Sequence, residues 1–238
     1  MTSLLLISSS DVHGGGYLDH VEEALREFLA GVSEVLFLPY ALHDRDAYAA
    51  RARERFARLG IAVASLHDAP DPRRAIAAAS AFFVGGGNTF RLLKAVQELE
   101  LREALYDRVL AGARYVGSSA GTNVACPTIR TTNDMPIVSL VSLDALGLVP
   151  FQINTHYLDP DPDSRHRGET REERISQFHE EQENIAPVVG LRESCWLLRR
   201  GDSLVLQGLP GPAARVFARG EAPMEYGVGV DMSNFLRP

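Results

Sequence analysis

Cysteine is scarce: only Cys126 and Cys195 occur in the 238 residues. Two are too few for a disulfide framework and their spacing fits no zinc site, so a reducing, cytoplasmic setting is expected. Long apolar runs are missing too. No stretch approaches the roughly 18 apolar residues of a membrane span. The N-terminus has a short apolar run from Leu4 to Ile7 with no basic segment ahead of it, and does not read as a secretory signal. Positive charge is in deficit. Lys and Arg total 24 against 31 for Asp and Glu, a formal net charge of −7, which argues against a sequence-independent grip on nucleic acid or an anionic membrane. A small-molecule or peptide ligand fits better. What remains is ordinary globular usage, 45% hydrophobic and 23% charged, with no internal repeat or linker. One domain over residues 1–238 with a sizeable core is therefore expected.

Short runs rich in Leu, Val, Ile and Phe at residues 4–8, 35–39, 61–66, 81–84 and 115–118 alternate with stretches of 3.6-residue periodicity at 18–32, 44–59, 71–79 and 89–113, the last broken near Glu100. That alternation predicts an α/β fold, a mostly parallel sheet with helices on both faces. The second half is less regular. It holds a strand at 151–154, a charged helix at 169–181, and β-like runs between Val188 and Phe217 that suggest antiparallel additions at one edge near the C-terminus.

The most informative segment is Gly117-Ser118-Ser119-Ala120-Gly121, which follows an apolar strand and opens a helix. A nucleophile elbow requires that context. The two glycines permit a tight turn, Ser119 stands at its apex, and the helix N-terminus favours the negative charge that develops in acyl transfer. The bland alternative is five small residues that let a helix pack closely on a sheet. A second strand runs into Gly85-Gly86-Gly87-Asn88-Thr89. Its glycine amides suit either a phosphate cradle or an oxyanion donor opposite Ser119, and the missing P-loop Lys and Ser/Thr disfavour the phosphate. A tight structural turn is the third possibility.

A serine nucleophile needs a base. Among seven histidines, His156 follows a short apolar strand and is the best candidate, with His13 as its rival. His20, His43 and His179 lie on or beside charged helices and are expected to be solvated; His67 and His166 fall in polar loops. The imidazole needs an orienting carboxylate. Asp134 and Glu193 both adjoin apolar runs, and spacing does not choose between them.

Val84-Gly-Gly-Gly-Asn-Thr-Phe90, Gly117-Ser-Ser-Ala-Gly-Thr-Asn123, Cys126-Pro-Thr-Ile-Arg-Thr-Thr-Asn-Asp-Met-Pro-Ile-Val138, Gln152-Ile-Asn-Thr-His156 and Gly168-Glu-Thr-Arg-Glu-Glu-Arg174 together closely resemble the peptidase E family of α-aspartyl dipeptidases. The resemblance runs to about Val216. It implies a flavodoxin-like three-layer α/β sandwich, hydrolysis of dipeptides with an N-terminal aspartate through an acyl-enzyme, and no metal or organic cofactor. By this likeness Ser119 is the nucleophile, His156 the base, and Asp134 and Glu193 the two candidate acids. The backbone of Gly86, Gly87 and Ala120 forms the oxyanion hole. Arg171 holds the substrate's aspartyl side chain, with Asn88 beside it in substrate binding and Arg130 as the fallback cation. From charge and hydropathy no nucleic-acid or membrane partner is expected, and the chain is expected to be a monomer or homodimer. Ser118 departs from the bulky aromatic of enterobacterial members, which leaves the tolerated second residue open. The rival readings are a cyanophycinase-like β-aspartyl peptidase and a non-catalytic ligand-binding module.

Overall fold

The computed structural model describes residues 1–161, 163, 168–181 and 186–237; His166 lies outside them. Five parallel strands, β1 (Ser3–Ile7), β2 (Glu34–Leu38), β3 (Ala62–Ser65), β4 (Ala81–Val84) and β5 (Arg114–Ser118), stand in the order β3-β2-β4-β5-β1. They match the predicted runs to within a residue. Their residues are apolar in succession because both sheet faces are covered. Leu4, Leu6, Leu38 and Val84 enter one buried cluster with Leu92, Val96 and Leu105, and Leu5, Ile7, Phe37 and Phe83 enter another with Leu25, Phe28 and Phe56. The first set of partners comes from α4 (Thr89–Glu98) and α5 (Arg102–Leu110), the second from α1 (Glu22–Phe28) and α2 (Arg45–Ala57). Three layers result.

Local signals set the helix boundaries. Asp44, Asp71 and Asn88 cap α2, α3 (Pro72–Ala78) and α4, each side chain accepting the N–H three residues on. Glu100 adopts a φ of 51° and separates α4 from α5, as the periodicity requires. Helix α1 is shorter than predicted, because Leu18 takes a φ of 58° and a single 3-10 turn leads into it.

The second half departs from expectation. Antiparallel strands β8 (Cys195–Arg200) and β9 (Ser203–Gly208) do extend the main sheet beside β1. However, β6 (Gln152–Tyr157), β7 (Val188–Arg192), β10 (Pro212–Phe217) and β11 (Met224–Gly227) form a separate sheet in the order β11-β10-β7-β6, in which β6 and β7 run parallel. Ile153, Val189, Leu191 and Val216 of this sheet join the same buried cluster as Leu4 and Val84 of the other, so one apolar core spans both. The charged helix appears as α7 (Arg171–Glu181), opened by a capping box in which Thr170 and Glu173 bond each other's backbone N–H.

Strands β4, β5 and β1 are neighbours and end on the same side, so the loops after all three converge there. After β5 the chain turns at once into the short helix α6 (Ala120–Asn123). That turn is possible because a Cβ on Gly121 would stand 2.0 Å from the carbonyl oxygen of Val84, and one on Gly117 would stand 2.6 Å from that of Gly121. Both contacts are with backbone, which cannot step aside. Gly121→Ala is expected to cost about 3 kcal/mol or more in urea unfolding; an unchanged unfolding midpoint would show that the turn is not so tightly packed.

Candidate active site

Ser119 sits at the sharp bend between β5 and α6 with φ 51° and ψ −108°, a backbone region that a side-chain-bearing residue occupies only when its surroundings force it. Those surroundings are specific. The Ser119 N–H donates to Ile7 O at 3.0 Å, its carbonyl accepts from the N–H groups of Thr122 and Asn123 at 2.9 Å, and the buried Tyr115 hydroxyl donates to Gly121 O at 2.6 Å. The bend therefore presents the Ser119 hydroxyl from a rigid frame.

His156 does not follow its strand, as the sequence suggested, but lies inside β6 at an irregularity where the pairing with β7 slips. It takes a φ of 52°. Its N–H, freed from the ladder, donates to Ser8 Oγ at 2.9 Å, and that hydroxyl donates in turn to Leu191 O at 2.8 Å. The ring then reaches Ser119: Nε2 is 2.9 Å from Oγ. On its other side Nδ1 is 2.8 Å from Oε1 of Glu193. Glu193 stands in the two-residue connection between β7 of one sheet and β8 of the other, which holds its carboxylate at the seam. An ionised carboxylate only accepts hydrogen bonds, so Nδ1 carries the proton and Nε2 is left to accept from the serine.

Asp134 is not beside His156. Its Oδ2 accepts from the N–H and hydroxyl of Thr89 at 2.7 and 2.5 Å and lies 3.2 Å from the Thr132 hydroxyl. It thus satisfies an orphan N–H at the start of α4 and ties the 131–138 segment to that helix. Asn88 is occupied in a similar way, with Oδ1 accepting the Arg91 N–H and Nδ2 donating to Met135 O. Asp134 therefore does not orient His156, and both side chains hold α4 and its neighbouring loop. Arg171 opens α7, half-buried; burial lowers its pKa and the Asp134 carboxylate opposes that shift. It does not line the cavity at Ser119.

The other histidines separate clearly. His13 is exposed and outside the cavity lining. His20 and His179, expected to be solvated, are not: His179 is buried, and both ring nitrogens of His20 are buried without a partner as it lies edge-on to Trp196. Burial lowers the pKa of each.

A cavity of about 410 Å³ opens in front of Ser119, lined by His156, Glu193, Gly86 and Gly87 and by Ser10, Asp11, Tyr17, Tyr48 and Arg51. The glycine loop is close-packed: a Cβ on Gly86 would stand 3.2 Å from the Ser119 Cβ, and one on Gly85 2.3 Å from the Tyr48 hydroxyl. Burial pushes the Tyr48 phenol up to about 12. Sequence reasoning missed Asp11, Tyr48 and Arg51. The last two lie on α2, whose charged pattern gave no sign that one face reaches the glycine loop.

Among the described residues one group has metal-ligand chemistry, Asp46, His67 and Asp68. Arg53 Nη2 holds Asp68 at 2.9 Å, a cation where a metal would want free carboxylate, and none of the three lines the cavity. Among the described residues no helix is long and apolar enough to cross a membrane.

Comparison with known proteins identifies the family. The profile of peptidase family S51 matches residues 4–207. Peptidase E of Streptomyces coelicolor is 53% identical over 234 residues, covering 98% of this chain and 95% of the relative. The Drosophila melanogaster protein named "Probable alpha-aspartyl dipeptidase" is 49% identical over 213 residues, 87% of this chain and 86% of its own. A solved peptidase from an acI-B1 Actinobacterium is 18% identical with a TM-score of 0.69, covering 98% of this chain and 96% of that one; it speaks for the fold.

The two acids should separate in stability measurements. Asp134→Ala removes three hydrogen bonds and a helix-end partner and is expected to cost about 2 kcal/mol in urea unfolding. Glu193→Gln, at a half-exposed corner, is expected to stay within about 0.5 kcal/mol. A larger loss from Glu193→Gln than from Asp134→Ala would reverse their assignment.

Proposed function

The chain belongs to peptidase family S51, and from that premise we propose that residues 1–238 form one catalytic domain that hydrolyses dipeptides with an N-terminal aspartate, through an aspartyl ester on Ser119. The observation that carries this reading is the hydrogen-bonded chain Glu193–His156–Ser119, at 2.8 and 2.9 Å.

In the forward step the Ser119 oxygen attacks the peptide carbonyl while its proton passes to His156 Nε2. The imidazolium so formed is stabilised by Glu193 through Nδ1–H. The carbonyl oxygen becomes an oxyanion. It is met by backbone N–H groups of Gly87 and of Ala120, whose amide belongs to the first turn of α6, where no intrahelical acceptor exists. Gly86 adds its own N–H to this set, and its lack of a side chain leaves room beside Ser119, whose Cβ would stand 3.2 Å from a Cβ there. His156 then gives its proton to the departing amine, releasing the second amino acid. Water, deprotonated by the same nitrogen, attacks the ester and frees aspartate. All the required proton transfers pass through one imidazole.

The aspartyl side chain needs a cation, and Arg171 is our candidate: a guanidinium binds a carboxylate bidentately, and it stands half-buried at the first residue of α7. Asp134 and Asn88 act as positioning residues that tie the 131–138 segment to α4. The names of the relatives favour this substrate class over β-aspartyl polymers. We also propose a cytoplasmic setting, in which the buried thiols of Cys126 and Cys195 remain unpaired.

Ser119→Ala should lower kcat on Asp-Leu by on the order of 10⁶-fold, and Glu193→Gln by about 10⁴-fold through the wrong imidazole tautomer; turnover surviving Ser119→Ala would remove the nucleophile. Arg171→Met should cut kcat/KM for Asp-Leu relative to Ala-Leu by about 10- to 100-fold. Equal losses on the two substrates would deny Arg171 its role.

A further inference from the structure

The hydrolytic steps leave one charged pair at the active cavity without a task. Asp11, in the loop after β1, and Arg51, on α2, meet in the lining of the cavity that His156 also lines, with Arg51 Nη2 2.7 Å from Asp11 Oδ1. The guanidinium carbon also lies 4.0 Å from the centre of the buried Tyr17 ring. Two contacts of different kinds therefore fix its plane. They do not exhaust it: a guanidinium has five N–H donors, Asp11 takes one, and 49% of the Arg51 side-chain surface stays exposed. Among the described residues lining this cavity, Arg51 is the one guanidinium or ammonium.

We infer that Arg51 binds the free α-carboxylate of the substrate's second residue. This inference rests on the dipeptidase reading above. His156 must deliver its proton to the departing amine, so the second residue lies on the His156 side of Ser119, in the cavity that His156, Glu193 and Arg51 share. In a dipeptide that residue ends in a carboxylate a few bonds beyond the scissile nitrogen, and a carboxylate entering a partly enclosed site needs a cation. Arg171 lies outside this lining, on α7. The substrate's two carboxylates thus meet two guanidiniums, Arg171 for the aspartyl side chain and Arg51 for the C-terminus. Asp11 keeps the guanidinium aimed while its other edge receives the ligand, and Tyr17 supports its face. A longer peptide would bring a neutral amide to the same place, so Arg51 also selects for dipeptide length.

The test compares kcat/KM for Asp-Leu and for Asp-Leu amide, which lacks only the terminal charge, in the unaltered enzyme and in Arg51→Met and Arg51→Lys. The unaltered enzyme should prefer the acid by about tenfold or more. Arg51→Met should bring that ratio to near unity, chiefly through a higher KM for Asp-Leu, and Arg51→Lys should retain part of it because the charge remains without the fork. A ratio that Arg51→Met leaves as it was, or an unaltered enzyme that cleaves both substrates equally well, overturns the assignment and leaves the dipeptidase reading standing. Cleavage of neither substrate by the unaltered enzyme overturns that reading and this inference with it. Arg51→Lys keeps the charge and most of the packing on Tyr17, so it reports on the site should the Met variant prove unstable.

Discussion

Ser119 belongs to one sheet and His156 to another, so the hydrogen bond between them exists only while the two sheets keep their relative position. Three features hold that position. The buried cluster that includes Leu4, Val84, Ile153 and Val189 runs through both sheets. The Ser8 hydroxyl, at the end of β1, accepts from the His156 N–H and donates to Leu191 O. The two-residue connection from β7 to β8 carries Glu193 itself. Apolar burial supplies the energy and the polar contacts supply the register, since the hydrophobic effect is non-directional and a hydrogen bond is not.

The reacting groups also share a backbone property. Ser119 and His156 both take positive φ, at 51° and 52°, and neither is glycine. Each such residue costs on the order of 1–3 kcal/mol and persists only where its neighbours over-determine it. For Ser119 the neighbours are Ile7 O, Thr122 and the close approach of Gly121 to Val84. For His156 they are Ser8 and the slipped pairing with β7. The strain is spent on aiming two side chains that would otherwise lie along a strand and a helix.

This division explains what the sequence disclosed. The five parallel strands were legible because runs such as Leu4-Leu-Leu-Ile7 are buried on both faces, and the elbow because Gly117 and Gly121 bracket Ser119 on a strand-to-helix junction. His156 was legible as a residue but not in its setting: no pattern in Gln152-Ile-Asn-Thr-His156 announces that the strand continues through a bulge, or that it pairs in a second sheet. Glu193 and Asp134 were indistinguishable by composition, since both flank apolar runs. Only the two-residue corner and the Thr89 amide tell them apart. Arg51 was hidden for a simpler reason. On α2 it reads as one more exposed charge among Arg45, Arg53, Arg55 and Arg58, and its place in the lining of the Ser119 cavity comes with packing that brings Tyr48, on the same helix, against Gly85.

The central claim is that Glu193 and His156 make the Ser119 hydroxyl a nucleophile. It is met most directly by labelling the intact enzyme with a fluorophosphonate and mapping the adduct by peptide mass spectrometry, in the unaltered chain and in a His156→Ala variant. A single adduct on Ser119, lost in His156→Ala, is the expected result. An adduct on another residue, or equal labelling of Ser119 without the imidazole, would contradict it.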